Sequence, residues 1–441
     1  MVIKLDKIKA LLYENGSAVI RNADIYIKDD RIVKVDTTMQ AQDAPKADKV
    51  IDGKDRLAIP GLINAHTHAY MTMFRNIADD VPFTTWLFDT IEPLEDAMTP
   101  EECYYGTLLA NMEMIRTGTT SYVDMYICPD VNAKAAKESG LRACFTRGIV
   151  GSEYNDEGGM RRVNEALHDL ENWCDGDLRF AMLGPHAPYS CSGDFLRHVV
   201  EIAKERGLGL NMHVAEGQTE VNMCREKYNM TPVEYVDSMG VFDVHSIAAH
   251  CVYLEDRDFD ILKAKNVNVA INPFSNAKLA NGFSPVPKML EKGLNICIGT
   301  DGAASNNSLN MFREMTLEAT VHKGLLKEAT AVSAENVLKF ATLGGAAALG
   351  RANELGEIRE GYKADIAIID LKVPQLQPNN NLISALIYSA NGSEVDTVIV
   401  NGKILMEHKV LTTIDEERVY FEMNRIGERY MEIIRNKKSS K

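Results

Sequence analysis

AIPGLINAHTHAY, residues 58–70, carries the pattern on which the fold turns. Ile59 and Leu62-Ile63 form a short apolar run around Pro60-Gly61, which reads as a buried β-strand ending in His66-Thr67-His68. Side chains two apart on a strand share a face, so both imidazoles point at one centre. Two neutral nitrogens aimed at one point suit a metal ion. Taken alone, an HxH is more often a pair of exposed polar residues at a strand end. The chain downstream argues otherwise, because His and Asp recur at the ends of similar apolar runs.

Working outward, the run at 57–65 is followed by runs at 119–124, 143–149, 180–184, 208–212, 246–249, 267–271 and 295–299. Amphipathic stretches such as 100–116, 164–172, 193–206 and 231–239 lie between them. Strands alternating with helices in this number predict a (β/α)8 TIM-type barrel, an α/β fold. A doubly wound open sheet is the alternative, but no glycine-rich dinucleotide fingerprint follows the early strands. A barrel of this kind places its active site at the C-terminal ends of the strands. The residues standing there are His66 and His68, Asp124, Arg147, His186, His213, His250, Asn272 and Asp301. So many histidines with an aspartate at convergent positions point to a metal site.

Both flanks have a different texture. Short alternating runs at 18–20, 24–28, 31–35 and 49–51, and again at 356–358, 364–369, 395–400 and 402–406, read as β structure punctuated by Gly and Asp. They predict a small β-sandwich domain built from both termini, with the division 1–57, 58–354 and 355–441, the last part including a terminal helix.

Composition narrows the partners. A chain of 441 residues with 45% hydrophobic and 25% charged residues can bury a large core. A net charge of −15 argues against nucleic acid or an anionic membrane as partner, and the basic tail 435–441 is too short to reverse that. The eight cysteines include no CxxC pair, and most read as small core residues, a usage that fits a reducing cytoplasm. The start, MVIKLDKIKALLYENG, lacks the apolar segment of a signal peptide, and no run reaches the roughly 18 apolar residues of a membrane span. A cytoplasmic protein is expected.

An ordered set of motifs adds a resemblance. HTH at 66–68, HVAE at 213–216, AAHCVYL at 248–254, NPFSNAKLANG at 272–282 and GTDGAASNNSLN at 299–310 resemble the amidohydrolase superfamily. Within it they are similar to the branch of 5-methylthioadenosine/S-adenosylhomocysteine deaminases and 5′-deoxyadenosine deaminases. The resemblance covers essentially the whole chain. It implies that His66, His68, His213 and Asp301 hold one divalent ion, zinc or iron. Binuclear members use a lysine at the end of strand four, where this chain has Pro185-His186-Ala187, so one metal is expected. His250 then hydrogen-bonds the attacking water. Glu216 protonates the ring nitrogen beside the attacked carbon, and Asp301 accepts and passes on the remaining proton.

On the substrate side the resemblance implies that Glu95 accepts the ribose hydroxyls, that His186 contacts the nucleoside and that Arg147 faces the 5′ substituent. Trp86 and Phe83 are candidates to cover the purine or that substituent, or to pack a loop helix, and Ser305 is a further polar contact. The family's second arginine falls in Glu157-Gly158-Gly159 here, with Arg161 or Arg162 as replacement, so neutral 5′ groups are expected to be accepted at least as well as a charged one. The implied partner is a small nucleoside, and a homo-oligomer fits the superfamily. The competing readings are a guanine, cytosine or triazine aminohydrolase on the same scaffold, and a non-catalytic descendant. Glu95 with Arg147 speaks against the former, and retention of every ligand speaks against the latter.

Overall fold

The computed structural model describes residues 1–40 and 43–439. The last two residues of the basic tail lie outside the described residues. The middle of the chain forms the expected barrel. Its parallel strands are Leu62–Thr67, Thr119–Tyr126, Arg142–Ile149, the pair Arg179–Ala181 and Gly184–Pro185, Leu210–Val214, Ser246–His250, Asn268–Ile271 and Asn295–Ile298. The first four strands pair into one sheet and the last four into another. At one seam Leu183 N–H donates to Gly209 and Asn211 N–H donates to Leu183. At the other, Asp301 N–H donates to the His66 carbonyl at 2.9 Å. Gly299 makes that second seam close, because a Cβ there would lie 2.5 Å from Asn272 Oδ1 and 2.7 Å from the His66 carbonyl.

The strands are apolar on both faces because helices cover the outside and packed side chains fill the inside. Ile63, Val123, Cys144, Ile247, Ala270 and Cys297 form one such buried group. The helices Pro100–Arg116, Gly193–Arg206 and Pro232–Ser238 start on side-chain caps from Thr99, Ser192 and Thr231.

Both termini meet in one nine-stranded mixed sheet. The long hairpin Val2–Glu14 with Ser17–Lys28 pairs through Arg56–Pro60 to Ile366–Asp370, Val395–Val400 and Lys403–Glu407. Ile3, Leu5, Ile25, Ile27, Ile366 and Ile368 are buried within it, giving a small β-sandwich beside the barrel. Arg142, fully buried, ties the two parts by donating from Nε and Nη2 to the Asp365 carboxylate at 2.9 and 3.1 Å.

Some local expectations change. The run 57–65 divides at Gly61: Arg56–Pro60 belongs to the mixed sheet and Leu62–Thr67 to the barrel. A Cβ at Gly61 would sit 2.1 Å from Thr120 Oγ1, so the crossing needs glycine. The helix anticipated at 164–172 begins earlier, as Glu157–Trp173, because Asp156 caps the Gly159 amide and carries the glycine pair into the helix. Residues 356–358 form no strand. Ile358 is buried against the mixed sheet all the same, so its apolarity reports burial and not pairing. Cys103 and Cys128 are joined as a disulfide, which a spacing of 25 residues gives no hint of; the other six cysteines are free. No described helix is long and apolar enough to cross a membrane.

Candidate active site

Three imidazoles and a carboxylate converge at the C-terminal mouth of the barrel. His213 Nε2 lies 3.1 Å from His66 Nε2 and 3.3 Å from His68 Nε2. Asp301 Oδ1 lies 3.3 Å from His68 Nε2 and 3.6 Å from His66 Nε2. Backbone carbonyls fix two of the tautomers: His68 Nδ1–H donates to Met125 at 2.7 Å and His213 Nδ1–H to His186 at 3.0 Å. With the proton on Nδ1, each Nε2 presents a lone pair. Burial first, and then the neighbouring imidazoles, push His66 and His213 well below the ordinary histidine range, so both are neutral. Two Nε2 atoms lie within 3.3 Å of His213 Nε2 with a carboxylate oxygen beside them, a nitrogen and oxygen set facing one point. The donor set therefore fits a divalent ion, which His66, His68, His213 and Asp301 could hold.

Asp301 is aimed with some precision. Its Oδ2 accepts from Ser275 Oγ at 2.6 Å and Ser305 Oγ at 2.9 Å, leaving Oδ1 to the imidazoles. Ser305 lines the cavity too, with its hydroxyl directed at Asp301. Asp301, His250 and Ala215 all have positive φ, at 60°, 74° and 54°. Non-glycine residues rarely sit there, and such turns at strand ends swing the following side chains into the mouth.

His250 Nδ1–H donates to Asn276 Oδ1 at 2.8 Å, which leaves Nε2 as an acceptor facing Glu216 Oε2 at 3.8 Å. Glu216 is buried, and burial pushes its carboxyl up from the ordinary glutamate value. Asn281 Nδ2 donates to Glu216 Oε1 at 3.2 Å. A carboxyl whose proton is held more tightly by burial, beside a metal-binding cluster, can deliver that proton to a bound ring.

His68, His213, Glu216, His250, Asp301 and Ser305 open onto one cavity of about 410 Å³. Glu95 stands on another wall, at the end of the short helix Glu92–Glu95, with Tyr70 O–H donating to Oε1 at 2.5 Å. Trp86 is buried and donates from Nε1 to the Ala304 carbonyl at 3.2 Å, and Phe83 packs 5.8 Å from it. The two rings thus pack against the loop after the last strand while also facing the cavity. His186 holds its Nδ1 against Ser190 Oγ at 2.9 Å, and burial lowers it to about 4, so it meets the cavity as a neutral ring.

Arg147 lines the cavity with Nε donating to Glu165 at 2.9 Å and Nη1 to the Gly148 carbonyl at 2.6 Å. The arginine left open between 161 and 162 separates clearly. Arg162 lines the cavity, whereas Arg161 is largely exposed and approaches Glu165 outside it. Burial, with Arg147 and Arg161 nearby, pulls Arg162 below the ordinary arginine value, and the carboxylates of Glu165 and Asp156 offset this only in part.

Several residues escaped the reading of the sequence. Ser275, Asn276 and Asn281 lie inside NPFSNAKLANG, so their proximity to the site was signalled while their partners were not. Tyr70 follows His68 by two positions, but nothing in that stretch marks it as a partner of Glu95. Glu220, on the polar helix Gln218–Tyr228, gave no signal at all.

Known proteins share this arrangement. Residues 57–405 match the amidohydrolase family. Over 422 residues the chain is 46% identical to the 5-methylthioadenosine/S-adenosylhomocysteine deaminase of Caldanaerobacter subterraneus subsp. tengcongensis, covering 94% of this chain and 95% of the relative. It is 43% identical over 413 residues to the 5′-deoxyadenosine deaminase of Methanocaldococcus jannaschii, covering 93% and 97%. A crystal structure of an adenosine deaminase from Xanthomonas campestris with bound zinc superposes with a TM-score of 0.92 at 31% identity, covering 98% of both chains. A barrel with histidines and an aspartate at its mouth, a sandwich from both termini and these matches agree: the chain belongs to the amidohydrolase family.

Proposed function

We propose that the protein hydrolyses the 6-amino group of adenine nucleosides altered at the 5′ position, such as 5-methylthioadenosine, S-adenosylhomocysteine and 5′-deoxyadenosine. Water adds at C6, the amino group leaves as ammonia and the inosine analogue remains. The observation that carries this reading is the meeting, in one cavity, of a buried carboxyl beside the histidine cluster with a second carboxyl, that of Glu95, on the same lining. The first suits protonation of a ring nitrogen and the second suits a vicinal diol. A free base would leave the Glu95 and arginine portion of the cavity empty, which speaks against a guanine, cytosine or triazine substrate. Ammonia release from a panel of purine nucleosides and free bases, compared by kcat/KM, tests the assignment. A free base turned over better than every nucleoside would overturn it.

The metal we assign to His66, His68, His213 and Asp301 is zinc, with iron(II) as the second choice for a nitrogen and oxygen set. Such an ion supplies a nucleophilic water near neutral pH. The chain's own residues do the rest. His250 Nε2 accepts a hydrogen bond from the attacking water and orients it. Glu216 donates a proton to N1, so that charge does not build on the ring as C6 is attacked. The first proton the water loses restores Glu216 once it has protonated N1, and Asp301 takes the second and returns it to the departing amine.

Glu95 gives a prediction for the ribose. Its carboxylate and the two hydroxyls form a charge-assisted pair, and removing one side of such a pair costs about 2–3 kcal/mol. Glu95→Ala should therefore lower kcat/KM for ribonucleosides about 30- to 150-fold. It should also narrow the gap between a ribonucleoside and its 2′-deoxy form.

At the other end, Arg162 is our replacement for the displaced family arginine. Together with Arg147 it offers an anionic 5′ tail a place, so the expected preference for neutral tails weakens. Arg162→Ala should cut kcat/KM for S-adenosylhomocysteine about 10- to 100-fold, the value of a charge-assisted hydrogen bond, and leave 5′-deoxyadenosine within about twofold. Equal losses on both substrates would remove Arg162 from tail recognition.

A further inference from the structure

Between the fifth barrel strand, Leu210–Val214, and the helix Gln218–Tyr228 the chain makes a three-residue turn, Ala215-Glu216-Gly217. The helix begins at Gly217, which has no side chain to cap it. Glu220, three residues later, does the capping from the other direction. A glutamate at this place ordinarily reaches back to the amide of the residue that starts the helix. Here it reaches further: Oε1 accepts from the Ala215 amide at 2.8 Å and Oε2 from the Glu216 amide at 3.0 Å.

This carboxyl is buried, and among the described residues it forms no ion pair with a cation. Burial first, and then the nearby Glu216, push it up to about 8 against the pull of the two amide hydrogen bonds. Burying a carboxyl with no cation is costly. The placement makes sense for what the two amides control. Ala215 has φ of 54°, a conformation that a non-glycine residue holds only when its surroundings enforce it. The same turn sets the direction of the Glu216 side chain, whose Oε1 is then met by Asn281.

We propose that Glu220 is a positioning residue for proton delivery: by gripping the Ala215 and Glu216 amides it holds the turn that aims the Glu216 carboxyl at the substrate ring. The proposal rests on the reading of Glu216 as the proton donor. Glu220 touches neither substrate nor the histidine cluster, so its effect passes through Glu216.

The test is a double-mutant cycle on the metal-loaded protein with 5-methylthioadenosine, read as ammonia release, with metal content and thermal stability measured alongside. Glu220→Gln keeps the size of the side chain but sets an NH2 group against one amide, so it loosens the grip without opening the void that Glu220→Ala would leave. We expect Glu220→Gln to lower kcat about tenfold or more, with KM within about twofold and metal content unchanged. In a Glu216→Gln background the same change should cost less than about twofold, because the group it aims is already gone. A full, independent loss in the double variant would overturn the proposal, as would a loss confined to KM or to metal content. Glu216→Gln with unaltered kcat would instead remove the donor assignment itself, and that single variant separates the two failures.

Discussion

His213→Ala is expected to strip the protein of its metal and its activity together. His213 Nε2 faces both His66 and His68, so its loss removes one of about four ligands and the one nearest to two of the others. His66→Ala should behave alike. An ion held by the folded cluster and not by the unfolded chain stabilises the fold. Added zinc should therefore raise the Tm of the chelator-treated wild-type protein and leave the Tm of His213→Ala almost unmoved. His250→Ala should differ from both. Its Nδ1 is tied to Asn276 and its Nε2 faces Glu216, so metal should stay while turnover falls. Metal loss in His250→Ala equal to that in His213→Ala would put His250 among the ligands and require a different coordination scheme. Metal retained at full content by His213→Ala would end the assignment altogether.

These variants concern the part of the molecule most legible in the sequence. HTH, HVAE and GTDG each close an apolar run, and a strand end in a barrel has only one place to go, so the histidine cluster could be assembled on paper. The sandwich from both ends was legible for a similar reason, since alternating runs such as 395–400 need a partner sheet. What could not be read depends on contacts between distant segments. Arg56–Pro60 and Leu62–Thr67 look like one apolar run, and only the pairing with Ile366–Asp370 divides them. Arg161 and Arg162 are adjacent and identical in type, and helix phase alone decides which faces the cavity. That phase depends on Asp156 drawing Gly158-Gly159 into the helix, against the usual reading of paired glycines as a loop. Glu220 was beyond reach because a glutamate on a polar helix is normally exposed. Its burial follows from a turn whose backbone angles leave no trace in residue type.

Glu216→Gln is expected to cost about 100-fold or more in kcat, the usual range for a general acid–base group, with metal content and nucleoside binding preserved. The change is nearly isosteric, and the new Oε1 can still accept from Asn281, so geometry is disturbed little. What disappears is a proton. Burial, the largest influence, and the carboxylate of Asp301 hold Glu216 up, while His250, His68 and the Asn281 hydrogen bond pull it down. The net direction is upward, so the carboxyl retains its proton to higher pH than an exposed glutamate. An acid must be protonated to act, so the wild-type rate should fall as pH rises through this group's pKa. Glutamine has no proton to lose, and the same limb should vanish from the much lower profile of the variant. A substrate analogue that already carries hydrogen at N1 has less need of the donor, and the gap between wild type and Glu216→Gln should shrink with it. If kcat stays near wild type on the ordinary nucleoside, N1 receives its proton elsewhere. Among the described residues Asp301 is then the carboxylate against the imidazoles, with Oδ1 already facing them, so one residue would have to carry both proton transfers.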